Sequence, residues 1–185
     1  MNRTWLLVIT LSILSTFGCA TMPNSPNKIV FSNNFNVAKH RSIAILPFQS
    51  SGKEGSEYSI TDKFSMHCME SGFIVIERTQ LEQVFKELKL ELTGILSKSD
   101  TNRIGKILNL DMIVFGSVGY AQSVGGRYVI DSESARFVDV SSGEVLISIY
   151  VNEADNVTNS YSEAMSLLLK DKLNEMKNMQ SENKK

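Results

Sequence analysis

Histidine and cysteine are scarce in this sequence, two of each, and they stand apart. Cys19 and Cys68 are widely separated, and neither His40 nor His67 has a ligand pattern beside it. That leaves little material for a metal centre or a dithiol site. No charge of either sign dominates. Nineteen Lys and Arg against 20 Asp and Glu give a formal net charge of −1, so no global basic field draws nucleic acid or an anionic membrane surface. No internal repeat of roughly 20–50 residues is visible. H-E-x-x-H, G-x-S-x-G and C-x-x-C are all missing, and with them the usual signatures of a zinc hydrolase, a serine hydrolase and a thiol redox centre.

Two glycine-bearing stretches invite a phosphate or dinucleotide and fail on detail. In "SSGKEGS" Lys53 is followed by Glu54, not by Ser or Thr, and the P-loop glycine spacing is absent. "FGSVGYAQSVGG" carries glycines at 116, 119, 125 and 126 but lacks the G-x-G-x-x-G register and a following helix. Gly116 and Gly119 are read instead as permitting a bend or close packing within a strand. His67 and Cys68 are neighbours on an expected helix, where adjacent side chains diverge by about 100° and cannot chelate together. Cys68 falls on that helix's apolar stripe and is read as a small buried hydrophobe. No catalytic, cofactor-binding or metal-ligating residue is assigned, and the chain is read as not an enzyme. A carboxylate site without a pattern is the enzymatic alternative.

What is present begins at the N-terminus. Arg3 is a minimal positive region, and "WLLVITLSIL", Trp5 to Leu14, is an apolar core. The stretch from Thr4 to Gly18 is shorter than the roughly 17–25 residues a membrane-spanning helix needs, so it reads as a secretory signal. Its end, "STFGC", resembles the lipobox of bacterial lipoproteins, in which cleavage precedes a cysteine that then receives a diacylglycerol. That likeness makes Cys19 the first residue of the mature chain and its lipidation site. An ordinary cleaved signal with a structural Cys19 is the other reading. Acyl chains contribute roughly 0.8 kcal/mol per buried CH₂, which makes multiple acylation a permanent anchor. Ala20 stands where, by the enterobacterial sorting rule, Asp favours the inner membrane. The resemblance therefore implies the outer membrane, with the protein facing the periplasm.

The 185 residues suit one domain with short appendages. Residues 1–18 are the signal peptide, 19–39 a lipidated N-terminus and flexible tether in which only "KIVF" reads as ordered, 40–179 the domain, and 180–185 a disordered tail. "SIAILPF", Ser42 to Phe48, and "FIVIE", Phe73 to Glu77, are short apolar runs that suit buried strands. Between them Ile60, Phe64 and Cys68 share one helical face, closed by Gly72. Thr79 and Glu82 spell a capping box before a stripe of Leu81, Val84, Phe85, Leu88 and Leu92 that Gly94 ends. A shorter helix starts near Asp100 with Ile104, Ile107 and Leu108 inward, and "DMIVFGSVGY" is a third strand. "RYVIDSESARFVDV" and "EVLISIYV", joined at "SSG", read as a hairpin. A last helix opens with a second capping box, Ser160 and Glu163, and carries Met165, Leu169, Leu173 and Met176. The expected fold is α/β (α+β): a single mixed sheet of about five strands with helices packed on it.

From "VIERTQLEQVFKELKL" to "MIVFGSV" the chain resembles the CsgG family, named for the curli-secretion channel of the outer membrane. The likeness rests on Val75 to Arg78, Leu81 to Leu88, Thr93–Gly94, Ile104 to Asp111 and Ile113 to Val118, with "IAILPF" and "ARFVDVSSGEVL" beside them, over roughly residues 42 to 150. The resemblance implies a periplasmic domain that works by contacts with other envelope proteins or with copies of itself. One branch of the family inserts hairpins in a transmembrane barrel. A hairpin strand needs about 9–11 alternating residues, and neither Tyr120–Ser134, with Arg127, Asp131 and Glu133, nor Asn152–Asn159 supplies two of them. No transmembrane barrel is therefore expected. The alternative implied role is an LpoB-like activator of a peptidoglycan synthase, against which a tether of about twenty residues, at most about 70 Å long, is short. The expected contact segments are the 50–58 loop and the 120–134 segment.

Overall fold

The computed structural model describes residues 27–50, 57–92, 96–122, 125–126, 128–152 and 160–182. Its strands are β1 (Lys28–Phe31), β2 (Ser42–Ile45), β3 (Gln49–Ser50), β4 (Ile74–Val75), β5 (Met112–Gln122), β6 (Tyr128–Asp139) and β7 (Val145–Val151). Its described helices are α1 (Glu57–Glu70), α2 (Arg78–Leu88), α3 (Lys98–Leu108) and α4 (Tyr161–Glu182).

The seven strands form one mixed sheet in the order β1-β7-β6-β5-β2-β4, with β3 also pairing β5. The α/β class is as the sequence implies, but the strand count rises from about five to seven. The additions are short: β1 lies antiparallel on β7, and β3 contributes two residues beside Ser117 and Val118. β2 pairs parallel with both β4 and β5. The crossover from β2 through α1 to β4 and the return from β4 through α2 and α3 to β5 run in opposite directions across the sheet, which places α1 on one face and α2 and α3 on the other, as right-handed connections require. The rest of the sheet is antiparallel, β5 to β6 to β7.

Two cores result. On one face α1 and α4 cover Ile43, Met112, Val114, Phe137, Ile147 and Ile149, with the Phe48 and Phe64 rings packed at a 55° tilt, 5.3 Å apart. On the other, α2 and α3 cover Ala44, Leu46 and Ile113 with Leu81, Phe85 and Ile104. The alternation Ile43–Ala44–Ile45–Leu46 divides one strand between both cores, which explains why it reads as a continuous apolar run. Asp111 fixes the register at the entrance, its carboxylate accepting from the backbone N–H groups of Arg41 and Ser42 at 2.8 and 2.7 Å.

Helix ends differ from the sequence expectation where tertiary contacts intervene. Ile60, Phe64 and Cys68 are buried as expected, and Gly72, at φ 96°, closes α1 in a Schellman motif through Gly72 N–H to Met69 and Phe73 N–H to Cys68. α2 starts at Arg78, not at a Thr79 cap. Its N-cap is Glu77, whose side chain makes no cap bond to the backbone. The Thr79 hydroxyl donates to the Glu77 carboxylate, and Arg78 reaches Asp62 of α1 at 2.8 Å. α2 also ends early, at Lys89 in the left-handed region, with Leu90 N–H returning to Phe85. Gly94 lies outside the described residues. Ser97 caps α3 by accepting from Asp100 N–H, while Ile107, expected inward, is exposed. The second capping box is half-formed, Ser160 accepting from Glu163 N–H at 3.2 Å, and Met165, Leu169 and Leu173 are buried. Of the apolar run Phe73 to Glu77, only Ile74 and Val75 form a strand, at the sheet edge, and this leaves Ile74 exposed. α4 continues to Glu182, past the start of the expected tail.

Gly116 is a packing glycine, as the sequence suggests. A Cβ there would sit 2.2 Å from the ring carbons of Phe48, which is itself buried. We predict that Gly116→Ala lowers stability by roughly 1–3 kcal/mol, as overpacking does, read as a lower urea midpoint. Phe48→Leu in the same chain should cost less than the sum of the two single changes. Additive losses would mean that the contact does not limit packing.

Candidate functional site

β5 and β6 are longer than the elements that flank them. β2 and β3 accompany β5 only as far as Val118, and β7 accompanies β6 only from Glu133 onward. Beyond these points, among the described residues, Gly119–Gln122 and Tyr128–Ser132 have one another as their strand partners. The 120–134 segment, expected as a contact segment, belongs to the outer ends of these two strands: a two-stranded arm projecting from the sheet. Its turn includes Gly125 and Gly126, both at positive φ. The register slips between Gly119 and Tyr120, so that Gly119 faces Ser132 and Tyr120 faces Ile130, with Asp131 left over as a bulge. Gly119 admits this bulge: a Cβ would lie 2.3 Å from Ser132 Oγ and 2.5 Å from Asp131 Oδ1. Tyr120 and Ile130 lean on the α1/α4 core, whereas Val129 is exposed.

At the base of the arm sits Glu133, only 2% exposed. It lies on the same face of β6 as Ala135 and Phe137, looking into the α1/α4 core. Ser162, in the first turn of α4, donates to Glu133 Oε2 at 2.9 Å. Burial pushes the carboxyl up to about 7, against the opposing pull of the Ser162 hydroxyl and of Lys63 on α1. Tyr161, next along α4, is raised by its own burial and then by Asp131 and Glu133. Arm, α1 and the start of α4 thus meet around one carboxyl with little access to water. Sequence reading used Glu133 only as a charge unfit for a bilayer. The signal that could have found it is its period-two phase with Ala135 and Phe137.

A second surface lies on the sheet face opposite α4. The registers Val30–Ser148–Arg136 and Lys28–Tyr150–Ser134 set these residues in two adjoining rows across β1, β7 and β6. Val30, Tyr150 and Arg136 are exposed there, and Ser117 and Ser134 join by a 2.7 Å hydroxyl bond.

The other residues singled out in the sequence have structural places. Cys68 is fully buried, and burial pushes its thiol far up, away from reactivity. His67 pairs with Glu70 on the surface of α1. The Nδ1 of His40 accepts from Asn36 N–H, and its Nε2 faces Asp139 at 3.7 Å. Burial tends to raise Asp139, but hydrogen bonds from Ser141 and Ser142 outweigh it and hold the carboxyl below its ordinary range. Cys19, the "SGKEGS" part of the 50–58 loop and residues 153–159 lie outside the described residues. Among the described residues no three His, Cys, Asp or Glu are grouped to hold a metal, and no helix is long and apolar enough to cross a membrane.

The family model for the curli production assembly/transport component CsgG matches residues 14–128. The chain belongs to the CsgG family. The matched span starts earlier than the resemblance read by eye, taking in "STFGC", and stops at the first residue of β6, so that "ARFVDVSSGEVL" falls beyond it. Among solved structures this CsgG-family chain is similar to the PelC dodecamer from Paraburkholderia phytofirmans, at 12% identity over 78% of this chain and 93% of that one, TM-score 0.46. It is also similar to lipoprotein GNA1162 from Neisseria meningitidis, at 21% over 75% and 99%, TM-score 0.45. The LpoB C-terminal domain from Escherichia coli aligns at 13% over 64% and 87%, TM-score 0.47. No curated protein matches the chain.

The buried carboxyl gives a pH prediction. Folded, Glu133 holds its proton up to about pH 7; unfolded, it releases it near the ordinary 4.5. Between those values only the folded state keeps the proton, so its contribution falls as pH rises through that window and levels off above it. The full span amounts to at most about 3 kcal/mol. The thermal midpoint should therefore drop between pH 5 and pH 7.5, and Glu133→Gln should flatten that drop. Equal slopes in the two proteins would refute the assignment.

Proposed function

We propose that this protein is a non-catalytic lipoprotein, held in the outer membrane by acyl chains on Cys19 and facing the periplasm. Its CsgG-family domain acts in assembly, secretion or envelope maintenance through contacts with other envelope proteins or with copies of itself. The observation that carries this reading is the family match, which joins the "STFGC" stretch and the folded sheet in one continuous span. The projecting arm supports it from a second side. Among the described residues no other strand pairs with this part of β5 and β6, and strand addition at a sheet edge is a common mode of protein recognition.

Metabolic labelling with an alkyne fatty acid should tag the full-length protein and not the Cys19→Ser variant, and the tagged protein should fractionate with outer membranes. Label that persists in the variant would remove the anchor from this reading. Val129→Asp, an exposed change on the arm, should leave the melting temperature within a degree or two, since surface substitutions stay within about 0.5 kcal/mol. It should also reduce what co-purifies after mild detergent extraction. An unchanged set of co-purifying proteins and an unchanged oligomeric state would exclude the arm as a contact.

A further inference from the structure

Where the turn after β1 meets the C-terminal half of α4, the surface opens into a cavity of about 360 Å³. It shares no lining residue with the arm. Its apolar lining includes Phe35, Phe73 and Leu173, all buried residues of the α1/α4 core, with Val37 beside them. Two exposed cations, Arg41 and Lys177, also line it. No aspartate or glutamate does.

The cations stand here beside buried side chains of the core, Phe35, Phe73 and Leu173. Three described surface cations have acidic partners, Arg78 with Asp62, Arg103 with Asp100 and Lys172 with Glu175. Among the described residues neither the Arg41 guanidinium nor the Lys177 ammonium has such a partner. His40, a third lining group, is already engaged by Asn36 and Asp139, with its ring stacked on Phe35 at 5.6 Å. The volume lies at the lower end of the range that small-ligand sites occupy, and an apolar body with a few convergent polar groups is their usual make-up. Two unpaired positive charges beside an aromatic and aliphatic hollow are complementary to one kind of ligand.

We propose that this cavity binds a small amphiphilic anion, its apolar body over Phe35, Phe73 and Leu173 and its anionic head met by Arg41 and Lys177. The head chemistry, carboxylate or phosphate, fits either a free fatty acid or an anionic phospholipid.

The probe is 1-anilinonaphthalene-8-sulfonate, an apolar ring system with one anionic head, titrated by fluorescence into the full chain carrying Cys19→Ser. The expected result is saturable binding at one site, weakened about tenfold by Arg41→Gln and again by Lys177→Gln, the loss expected of a charge-assisted contact. Arg41→Lys with Lys177→Arg should restore most of the affinity. N-phenyl-1-naphthylamine, which lacks the anionic group, should bind the wild type and the double Gln variant equally. Displacement of the probe by decanoate would assign the natural ligand to fatty acids, and displacement by dihexanoyl phosphatidylglycerol to phospholipids. Displacement by neither would overturn the proposal. So would absence of saturable binding, or equal probe affinity in the wild type and the double Gln variant with both chains folded by circular dichroism.

Discussion

The antiparallel pairing of β5 with β6 is the constraint on which the rest of this fold depends. Eleven register partners run along it, from Met112–Asp139 to Gln122–Tyr128. At its lower end β5 carries Met112 and Val114 into one core and Ile113 into the other. It offers a parallel edge to β2 while β6 offers an antiparallel one to β7. Parallel and antiparallel halves of the sheet are therefore joined at this one seam, and both cores depend on its register. A slip of a single residue would exchange the two faces of every strand attached to it. The bulge at Gly119 lies above the last flanking strand, where a change of register disturbs no core residue.

The same seam carries a local conflict in its upper part. A carboxyl buried in an apolar face is costly unless it is hydrogen-bonded, and Glu133 has the Ser162 hydroxyl and the nearby Lys63 charge as its compensation. Departures of this kind from an otherwise consistent pattern tend to mark where a fold has a task beyond staying folded. Here the departure falls where the projecting arm leaves the body of the domain.

Sequence reasoning recovered what depends on local pattern. The apolar stripes of α1, α2 and α4, the βα alternation and the close packing at Gly116 are all written in periodicity and residue size. It missed what depends on tertiary choice. Arg78 begins α2 because it reaches Asp62 on another helix, which no capping motif encodes. Lys89 ends the same helix in a conformation that sequence rules reserve for glycine. β3 has two residues, too few for any periodic signal. The two arm strands were legible as runs ending at Tyr120 and starting at Arg127, but their pairing with each other and the bulge at Asp131 opposite Gly119 have no periodic signal. Glu133 was visible in phase but discounted for its charge.

β1 changes the mechanical meaning of the N-terminal region. Read from composition, residues 20–39 are a slack leash. In the fold Lys28–Phe31 are held against Tyr150–Ile147 of β7 and Phe35 is inserted in the core, so the chain is fixed from Lys28 onward. If Cys19 carries the acyl chains proposed above, eight peptide links separate it from Asn27, a reach of at most about 30 Å. An anchor that short would turn a three-dimensional search into a nearly two-dimensional one, and the domain would patrol a layer little thicker than itself. Partners in that layer would be met at high effective concentration, while a partner on a distant membrane would have to do the reaching.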